Sequence, residues 1–493
     1  MSASVHPGAR TAAFPGRIQM IAGGGSHLLD FSPLRRVHDP GLQLDAVSLA
    51  DLLRNAFVYP PHSIYHEVKV AISGFEPEQD LHGEPRFRSP HQLAGAIARP
   101  LIGEIDREKT VMRYHRLLCE AIAASVNGMK APWLLQSGGK DSTSMAIALA
   151  EVRPDATCVT YLGGIEEDEV DSARFVAQRL GLRHEVLVCD SGRAYDRYLA
   201  MMPAMPLLTA DFATLSYADL ASTVAAVGGD GVIDALGSDP YFGMPTGWRQ
   251  RLKALLAWHL PLPHALLESA PVAASFRMSY ALGTMQMDRF ERFFPGSRFT
   301  DAEVDALFGR PVAASSRQRL RLFRDAVLAA PTMQARRCLA AVILEAATFG
   351  KGLYIAGALD LKLAYPYCDE PLRQWIFREV PDALLIGPGG INKVLVREHI
   401  ARHFQRLPYV KDKGCFRFDL VDLARKRFDQ VHAFAVDTKT QLPGATDWLE
   451  RHRDRLDNKY FASKFYLLAI ILPWLLARAA SADDLSAHNG GAS

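Results

Sequence analysis

From Arg107 to Val126, "REKTVMRYHRLLCEAIAASV", apolar residues recur at three- and four-residue intervals, the period of one face of an α-helix. The pattern then changes. "APWLLQSGGKDSTSMAIALAEVRPDATCVTYLGG" begins with a short apolar run and passes through a glycine turn into an alanine-rich helical run. A proline turn and a second apolar run follow, which predicts one strand–helix–strand unit. "DEVDSARFVAQRLGLRHEVLVCD" predicts a helix ended by Gly181 and then another strand, and "STVAAVGGDGVIDALGSD" predicts helix, turn and the apolar strand "GVIDAL". Strands alternating with helices predict an α/β fold, a doubly wound parallel sheet over about residues 130–245. The remainder is mostly helical, broken by turns at "PGSRFTD", "AYPYCDEP" and "IGPGGINK". Before residue 106 the chain is rich in Gly, Pro, His and Arg, with β-like pieces such as "SIYHEVKVAISGF". Two or three strands and little continuous helix are expected there. The chain thus divides into a small, β-rich N-terminal domain, 1–105, and a larger domain, 106–493, with a large helical C-terminal part.

Composition changes this picture little. At 493 residues, with 49% hydrophobic and 22% charged residues, the chain has the make-up of a soluble globular protein rather than a disordered one. A net charge of +2 and scattered arginines offer no basic stretch for nucleic acid, and no nucleic-acid partner is expected. The six cysteines (Cys119, Cys158, Cys189, Cys338, Cys368, Cys415) form no C-x-x-C pair, which argues against a disulfide framework or zinc finger. The most apolar run, "FYLLAIILPWLLA" (Phe465–Ala477), is shorter than the ~20 residues a bilayer requires and is interrupted by Pro473. It reads as a buried C-terminal helix, with no membrane partner. The N-terminus has no apolar signal core, so a cytoplasmic location is expected.

The chemistry concentrates in Ser137-Gly138-Gly139-Lys140-Asp141-Ser142, between a predicted strand and a predicted helix. Its glycines are adjacent, so it is neither a Walker A loop nor G-x-G-x-x-G. A Ser-Gly-Gly turn entering a helix presents backbone N–H groups at the positive helix end, where an anion binds. Ser137 and Ser142 add hydroxyl donors. A carboxylate such as Asp141 beside phosphate needs a Mg²⁺ ion between them, so the loop suits a Mg²⁺-bound pyrophosphate. Asp239, in Gly-Ser-Asp-Pro after the strand "GVIDAL", is either a plain turn residue or a second carboxylate for the same ion.

S-G-G-x-D-S resembles the pyrophosphatase loop of ATP enzymes that cleave between the α- and β-phosphates, including asparagine, GMP and NAD synthetases and tRNA-modifying thiolases. Further segments resemble the asparagine synthetase branch. "LADLLRNAFVYPPHSIYHEVKVAISGF" (Leu49–Phe75) is similar to the stretch that closes that family's glutaminase domain. "EEDEVDSARFVAQRLGLRHEVLVCD" is similar to the segment after its second strand. "VIDALGSDPYFGM" is similar to its second acidic loop, with Gly237, Asp239, Phe242 and Gly243 matching and Pro240 in place of glutamate. "YPYCD", "INKVLVREHI" and "LPYVKDKGCF" resemble, in order, its Pro-Phe-Leu-Asp turn, its Lys-x-x-Leu-Arg helix and its lysine-glycine-phenylalanine loop. The resemblance runs over about residues 49–420.

This resemblance implies an adenine nucleotide α-hydrolase-like fold, ATP and Mg²⁺ as cofactors, and acyl-adenylate chemistry. It implies that Asp141 and Asp239 hold Mg²⁺ and that Lys393 stabilises the adenylate and the tetrahedral intermediate. Ser137, Gly138, Gly139, Lys140, Ser142, Gly237, Arg397, Lys411 and Lys413 would face the phosphates. The backbone of Val159, Thr160 and Tyr161 would face adenine.

Two departures narrow the substrate. Glutamine-using relatives carry a cysteine directly after the initiator methionine, where this chain has Ser2; its first cysteine is Cys119. Residues 1–105 are therefore expected to be a shortened, degenerate glutaminase-like domain without glutaminase chemistry. The family's Glu-x-Arg before the Pro-Phe-Leu-Asp turn is replaced by Lys362-Leu363-Ala364-Tyr365. That removes a base, for which Glu345, Tyr354 and Asp360 are candidates. Relatives without glutamine hydrolysis close amides within one molecule. The reading that fits best is a lasso-peptide cyclase, joining a precursor peptide's N-terminal amine to an Asp or Glu side chain, with a leader-peptide protease as possible partner. A small-molecule lactam synthetase, an ammonia-dependent amide synthetase and a tRNA sulfur-transfer enzyme are the alternatives.

Overall fold

The structure, a computed structural model, describes residues 18–21, 43–60, 62–66, 68–71, 76–79, 85–88, 106–163, 167–242, 252, 255–256, 259–288, 290–291, 299–329, 333–406, 408–409 and 418–489. Before residue 106, β1 (Ile18–Ile21) pairs in parallel with β2 (Val68–Ala71), and β3 (Glu76–Gln79) pairs antiparallel with β4 (Pro85–Arg88). The segment also contains a ten-residue helix, α1 (Ala46–Asn55), where the sequence predicted little continuous helix. Asp45 caps it, its Oδ1 accepting the Val47 N–H at 3.0 Å.

The apolar face of α1 closes on far more than its sequence neighbours Tyr65 and Val68. Leu49, Leu52 and Leu53 are buried in one core with Leu135, Phe323 and Trp474, from far along the chain. Buried charges tie the same junction. Arg319 pairs with Asp45 and, at 3.1 Å, with Asp51, while the buried Arg54 pairs with Glu291 and, at 3.1 Å, with Asp301.

The alternating pattern after residue 106 folds as read. It gives α2 (Arg107–Ser125), β5 (Pro132–Leu135), α3 (Lys140–Val152), β6 (Thr157–Leu162), α4 (Glu167–Arg179), β7 (Arg183–Val188), α5 (Ser191–Met201), α6 (Thr214–Ala226) and β8 (Gly231–Ile233). Helices α7 (Ala313–Ala329) and α8 (Met333–Leu359) follow, then a last strand, β9 (Lys362–Ala364), and helices α9 (Glu370–Glu379), α10 (Val394–His403), α11 (Leu420–Asp437) and α12 (Lys459–Asn489). The five strands β5–β9 make one parallel sheet in the order β7-β6-β5-β8-β9.

Successive strand residues point to opposite faces, and here both faces are covered. Leu135, Val159, Val232 and Leu363 enter one core, whereas Leu134, Cys158, Ile233 and Ala364 enter the other. This is why the strands read as continuous apolar runs rather than as alternation. β9 lies outside the stretch from which the sheet was predicted. Three residues carry no usable period, and they become a strand only by adding to the edge of β8.

Helix α12 corrects a second expectation. It runs through Pro473 unbroken and is much longer than the apolar run alone. Proline has no N–H for the carbonyl one turn back, and tyrosines of α5 supply replacement donors. The Tyr195 hydroxyl donates to the Ala469 carbonyl at 2.9 Å, and the Tyr198 hydroxyl to that of Ile470 at 2.8 Å. The 20 residues Lys459–Arg478 are long and apolar enough to cross a membrane, but 83% of that apolar window is buried inside the protein. It is a core helix, as the sequence reading had it.

Candidate active site

Strand β5 starts the sheet and the chain then winds outward to β6 and β7, returning to lay β8 on the other side of β5. The gap between the β5 and β8 loops is therefore the point where the winding reverses, the place such sheets bind ligands. Both predicted loops open there.

The first loop is clasped by its own serines. Ser142 Oγ donates to the Ser137 carbonyl at 2.8 Å, the Ser137 N–H donates to Ser142 Oγ at 3.2 Å, and the Gly139 N–H donates to Ser137 Oγ at 3.2 Å. Gly139 is the N-cap of α3 and offers no side-chain cap, so the positive helix end faces the crevice through backbone. A Cβ on Gly138 would lie 3.0 Å from the Glu169 Cα, so glycine lets the loop pass against the start of α4.

The second loop leaves β8 through Gly237, whose φ of 101° is costly for any other residue. A Cβ there would also stand 2.8 Å from Cys368 Sγ, in the turn before α9. Gly237→Ala should therefore lower stability by about 2 kcal/mol and, by displacing Ser238 and Asp239, cut turnover about tenfold. Urea unfolding and steady-state rates measure both, and an unchanged unfolding midpoint would contradict the strain.

Lys393 joins the loops. It precedes α10 in the left-handed region (φ 57°, ψ 44°), with its N–H donating to the Leu385 carbonyl at 2.8 Å. Its side chain, in a residue only 3% exposed, reaches Asp141 Oδ2 at 2.7 Å, Ser238 Oγ at 2.9 Å and Asp239 Oδ1. Burial by itself would lower the lysine pKa, but Asp141 and Asp239 more than offset it and hold the ammonium above its ordinary value. It is charged at any physiological pH. The two carboxylates differ: the Asp141 side chain is 12% exposed and that of Asp239 57%.

Behind Asp141 stands a buried hydroxyl row that the sequence did not reveal. Tyr367 OH donates to the Asp141 carbonyl at 3.1 Å and lies 3.2 Å from Tyr114 OH, which is 2.8 Å from Ser144 Oγ. Tyr367 lies within "YPYCD" and Ser238 directly precedes Asp239, so proximity to a motif was the available signal for both. Nothing marks Tyr114. At the rim, Lys140 and Arg397 lie over the Tyr409 ring, 5.6 and 5.4 Å from its centroid, and Arg397 Nη1 donates to Tyr409 OH at 2.9 Å.

A family model described as asparagine synthase matches residues 114–414, which span both loops and Lys393. This chain belongs to the asparagine synthase family. No curated protein matches the sequence. As an asparagine synthase family protein it is an ATP-dependent, amide-forming ligase.

The geometry sorts the remaining sequence candidates of this asparagine synthase family protein. Strand β6 runs past the end of β5 by Thr160–Leu162, so backbone beyond Val159 borders the crevice. Thr160 Oγ1 donates to the Gln136 carbonyl at 2.8 Å, and Tyr161 OH donates to Asp219 Oδ2 at 3.3 Å. These side chains serve the scaffold. Lys411 and Lys413 lie outside the described residues, and so does the side chain of Glu345.

Asp360 is corrected as a base: it is exposed in the left-handed turn before β9, at the opposite end of the parallel strands from Asp239, which follows β8. Tyr354 is buried in a narrow pocket with Phe57 and Thr209, and burial pushes its phenol pKa up. Lys362 also faces away, donating to the Gly128 carbonyl and lying 3.7 Å from Asp230. A carboxylate the sequence reading passed over stands nearer. Asp234 follows β8 directly, and its N–H donates to the Ala364 carbonyl at 3.0 Å. Burial first, and then the Asp234 charge, push the Tyr217 phenol well up; at Tyr365 burial leads, followed by Tyr217 and Asp234.

Proposed function

We propose that this ligase closes a macrolactam in a precursor peptide, in the manner of lasso-peptide cyclases. An oxygen of an Asp or Glu side chain of the peptide attacks the α-phosphorus of ATP, and the bond to the β-phosphate oxygen breaks, releasing pyrophosphate. The peptide's N-terminal amine then attacks the acyl adenylate, an amide forms, AMP leaves and the amine loses its proton. The observation that carries the adenylation half is the buried ammonium of Lys393 between the glycine loop and the Asp239 loop. A fixed cation there opposes the negative charge that grows on the phosphates and on the acyl oxygen.

Asp141 and Asp239, with the Ser142 and Ser238 hydroxyls nearby, are the hard oxygen donors that suit Mg²⁺. Bound there, the ion would neutralise phosphate charge. Asp141 and Asp239 would hold it, and the greater exposure of Asp239 lets that side chain turn from Lys393 toward an ion. The Ser137–Ser142 loop and the α3 N-terminus would receive pyrophosphate, Lys140 and Arg397 would approach from the rim, and the β6 edge would receive adenine. Asp234 is the carboxylate we assign to accept the amine proton.

On the substrate side, Lys362 turns away where relatives carry glutamate, and buried tyrosines 217 and 365 stand beside Asp234. This favours a substrate other than free aspartate. A protease that removes a leader peptide would supply the free amine. The test is incubation with ATP, Mg²⁺ and a candidate leaderless peptide. AMP and pyrophosphate should appear as the peptide loses the mass of one water. Release of ADP would refute adenylation, and AMP formed only with a small amino acid or with ammonia would refute the peptide substrate.

A further inference from the structure

Away from the crevice, α2 and α10 each place two metal-ligating side chains one turn apart: His115 and Cys119 on α2, His399 and His403 on α10. Positions i and i+4 share a helix face, and these two faces meet. The ligand atoms of His115, His399 and His403 all lie within 4.8 Å of one another. Ring centroids are 5.1 Å apart for His115–His399, 5.3 Å for His399–His403 and 5.7 Å for His115–His403. His115 Nδ1 and His399 Nε2 are 2.8 Å apart, a contact that needs a proton between them.

The geometry points to a site for one divalent transition-metal ion of the zinc class, held by His115, His399 and His403. Such an ion takes the place of the shared proton. Imidazole nitrogens bind zinc at about 2.0–2.1 Å in a tetrahedral arrangement, which sets neighbouring nitrogens roughly 3.4 Å apart, so the closest pair needs to open by only about half an ångström. A donor set of imidazoles selects Zn²⁺, Co²⁺ or Ni²⁺ over Mg²⁺, which demands oxygen.

Two of the three rings already have the supporting bonds that metal-bound histidines use. His399 Nδ1 is 2.9 Å from Ser144 Oγ, and His115 Nε2 is 2.9 Å from Glu151 Oε2. Each leaves its other nitrogen turned toward the shared centre. His399 is fully buried, whereas His403 is exposed and gives the ion a path from solvent. Cys119, with Sγ 3.5 Å from His115 Nε2, belongs to an alternative set with His115 and Glu151. That set would require His115 to break its carboxylate bond and use the nitrogen that now faces Glu151, so the three-histidine set is the one already arranged.

The site would clasp α10 to α2, with α3 in support through Ser144. Lys393 caps the far end of α10, so the clasp would steady the helix that carries the lysine.

The test uses the full-length protein, stripped with a chelator and titrated with Co²⁺ and then Zn²⁺ in millimolar Mg²⁺. One Co²⁺ per chain should bind with visible ligand-field bands and be displaced by Zn²⁺. Zinc should also raise the unfolding midpoint by ~3 °C or more. His403→Ala, at an exposed position that spares the core, should weaken binding at least about tenfold, and Cys119→Ser should leave it unchanged. Unaltered affinity in the His403 variant, or no binding below millimolar metal, would show the imidazoles to be a hydrogen-bonded chain only. A thiolate charge-transfer band would move the ion to Cys119 and overturn the assignment.

Discussion

Lys393→Ala should lower AMP release about a thousandfold while leaving the fold intact. Removal of a single neutral oxyanion donor costs enzymes about 10²–10³ in rate, and Lys393 presents a full charge from a buried position. The ammonium is fixed by Asp141 at 2.7 Å and Ser238 at 2.9 Å, so it has no reorganisation to undergo as negative charge develops. Water admitted by the alanine variant does not replace it, because water must reorient and the lysine need not. Arginine should rescue poorly, since a planar guanidinium does not fit a pocket shaped for a compact ammonium. Circular dichroism checks folding and single-turnover AMP formation checks chemistry. A folded Lys393→Ala protein within tenfold of the native rate would falsify the role.

Asp141→Asn should match or exceed that loss. The substitution keeps the shape, so the serine clasp of the loop remains, but it removes the less exposed of the two carboxylates facing Lys393. The lysine is left with Asp239 and Ser238, and the proposed Mg²⁺ position loses one of its two acids. Breaking a buried pair by removing one partner costs about 3 kcal/mol, so chemical denaturation should register a loss of that order. The more exposed Asp239 gives a contrast: Asp239→Asn should raise the Mg²⁺ concentration needed for half-maximal rate with less effect on stability. If raising Mg²⁺ restored native turnover to the Asp141 variant, Asp141 would be a binding aid and not part of the centre.

The relation between these residues was only partly legible beforehand. "SGGKDS" declares itself because its chemistry is local: glycines, hydroxyls and a carboxylate within six positions at the start of a helix. Asp239 was readable once two strands were predicted side by side, and β5 does pair with β8. Lys393 was assigned from motif order alone. Its contact with Asp141 spans 252 positions, and its left-handed backbone before α10 has no signature in "INKVLV". Nothing in the sequence marks Tyr114, and Tyr367 is marked only by lying within "YPYCD"; their hydroxyl row exists because α2 and the turn before α9 pack on α3. Asp360 read as a possible base because it lies near the family turn in sequence. Three residues of strand then carry the chain from one end of the sheet to the other, so nearness in sequence became opposite strand ends in space.

By itself the sequence determined the α/β alternation, the parallel sheet implied by it and the glycine turn that joins β5 to α3. These follow from interactions within a turn of helix or a few strand residues, which a periodic pattern encodes directly. Only the tertiary structure decided that β9 exists, that α1 closes on the C-terminal core, that α12 survives Pro473, and that three histidines meet. His115 and His399 are 284 positions apart. Their meeting depends on which helix faces pack together, and that choice is made by the sheet order and the shared core rather than by the residues beside either histidine.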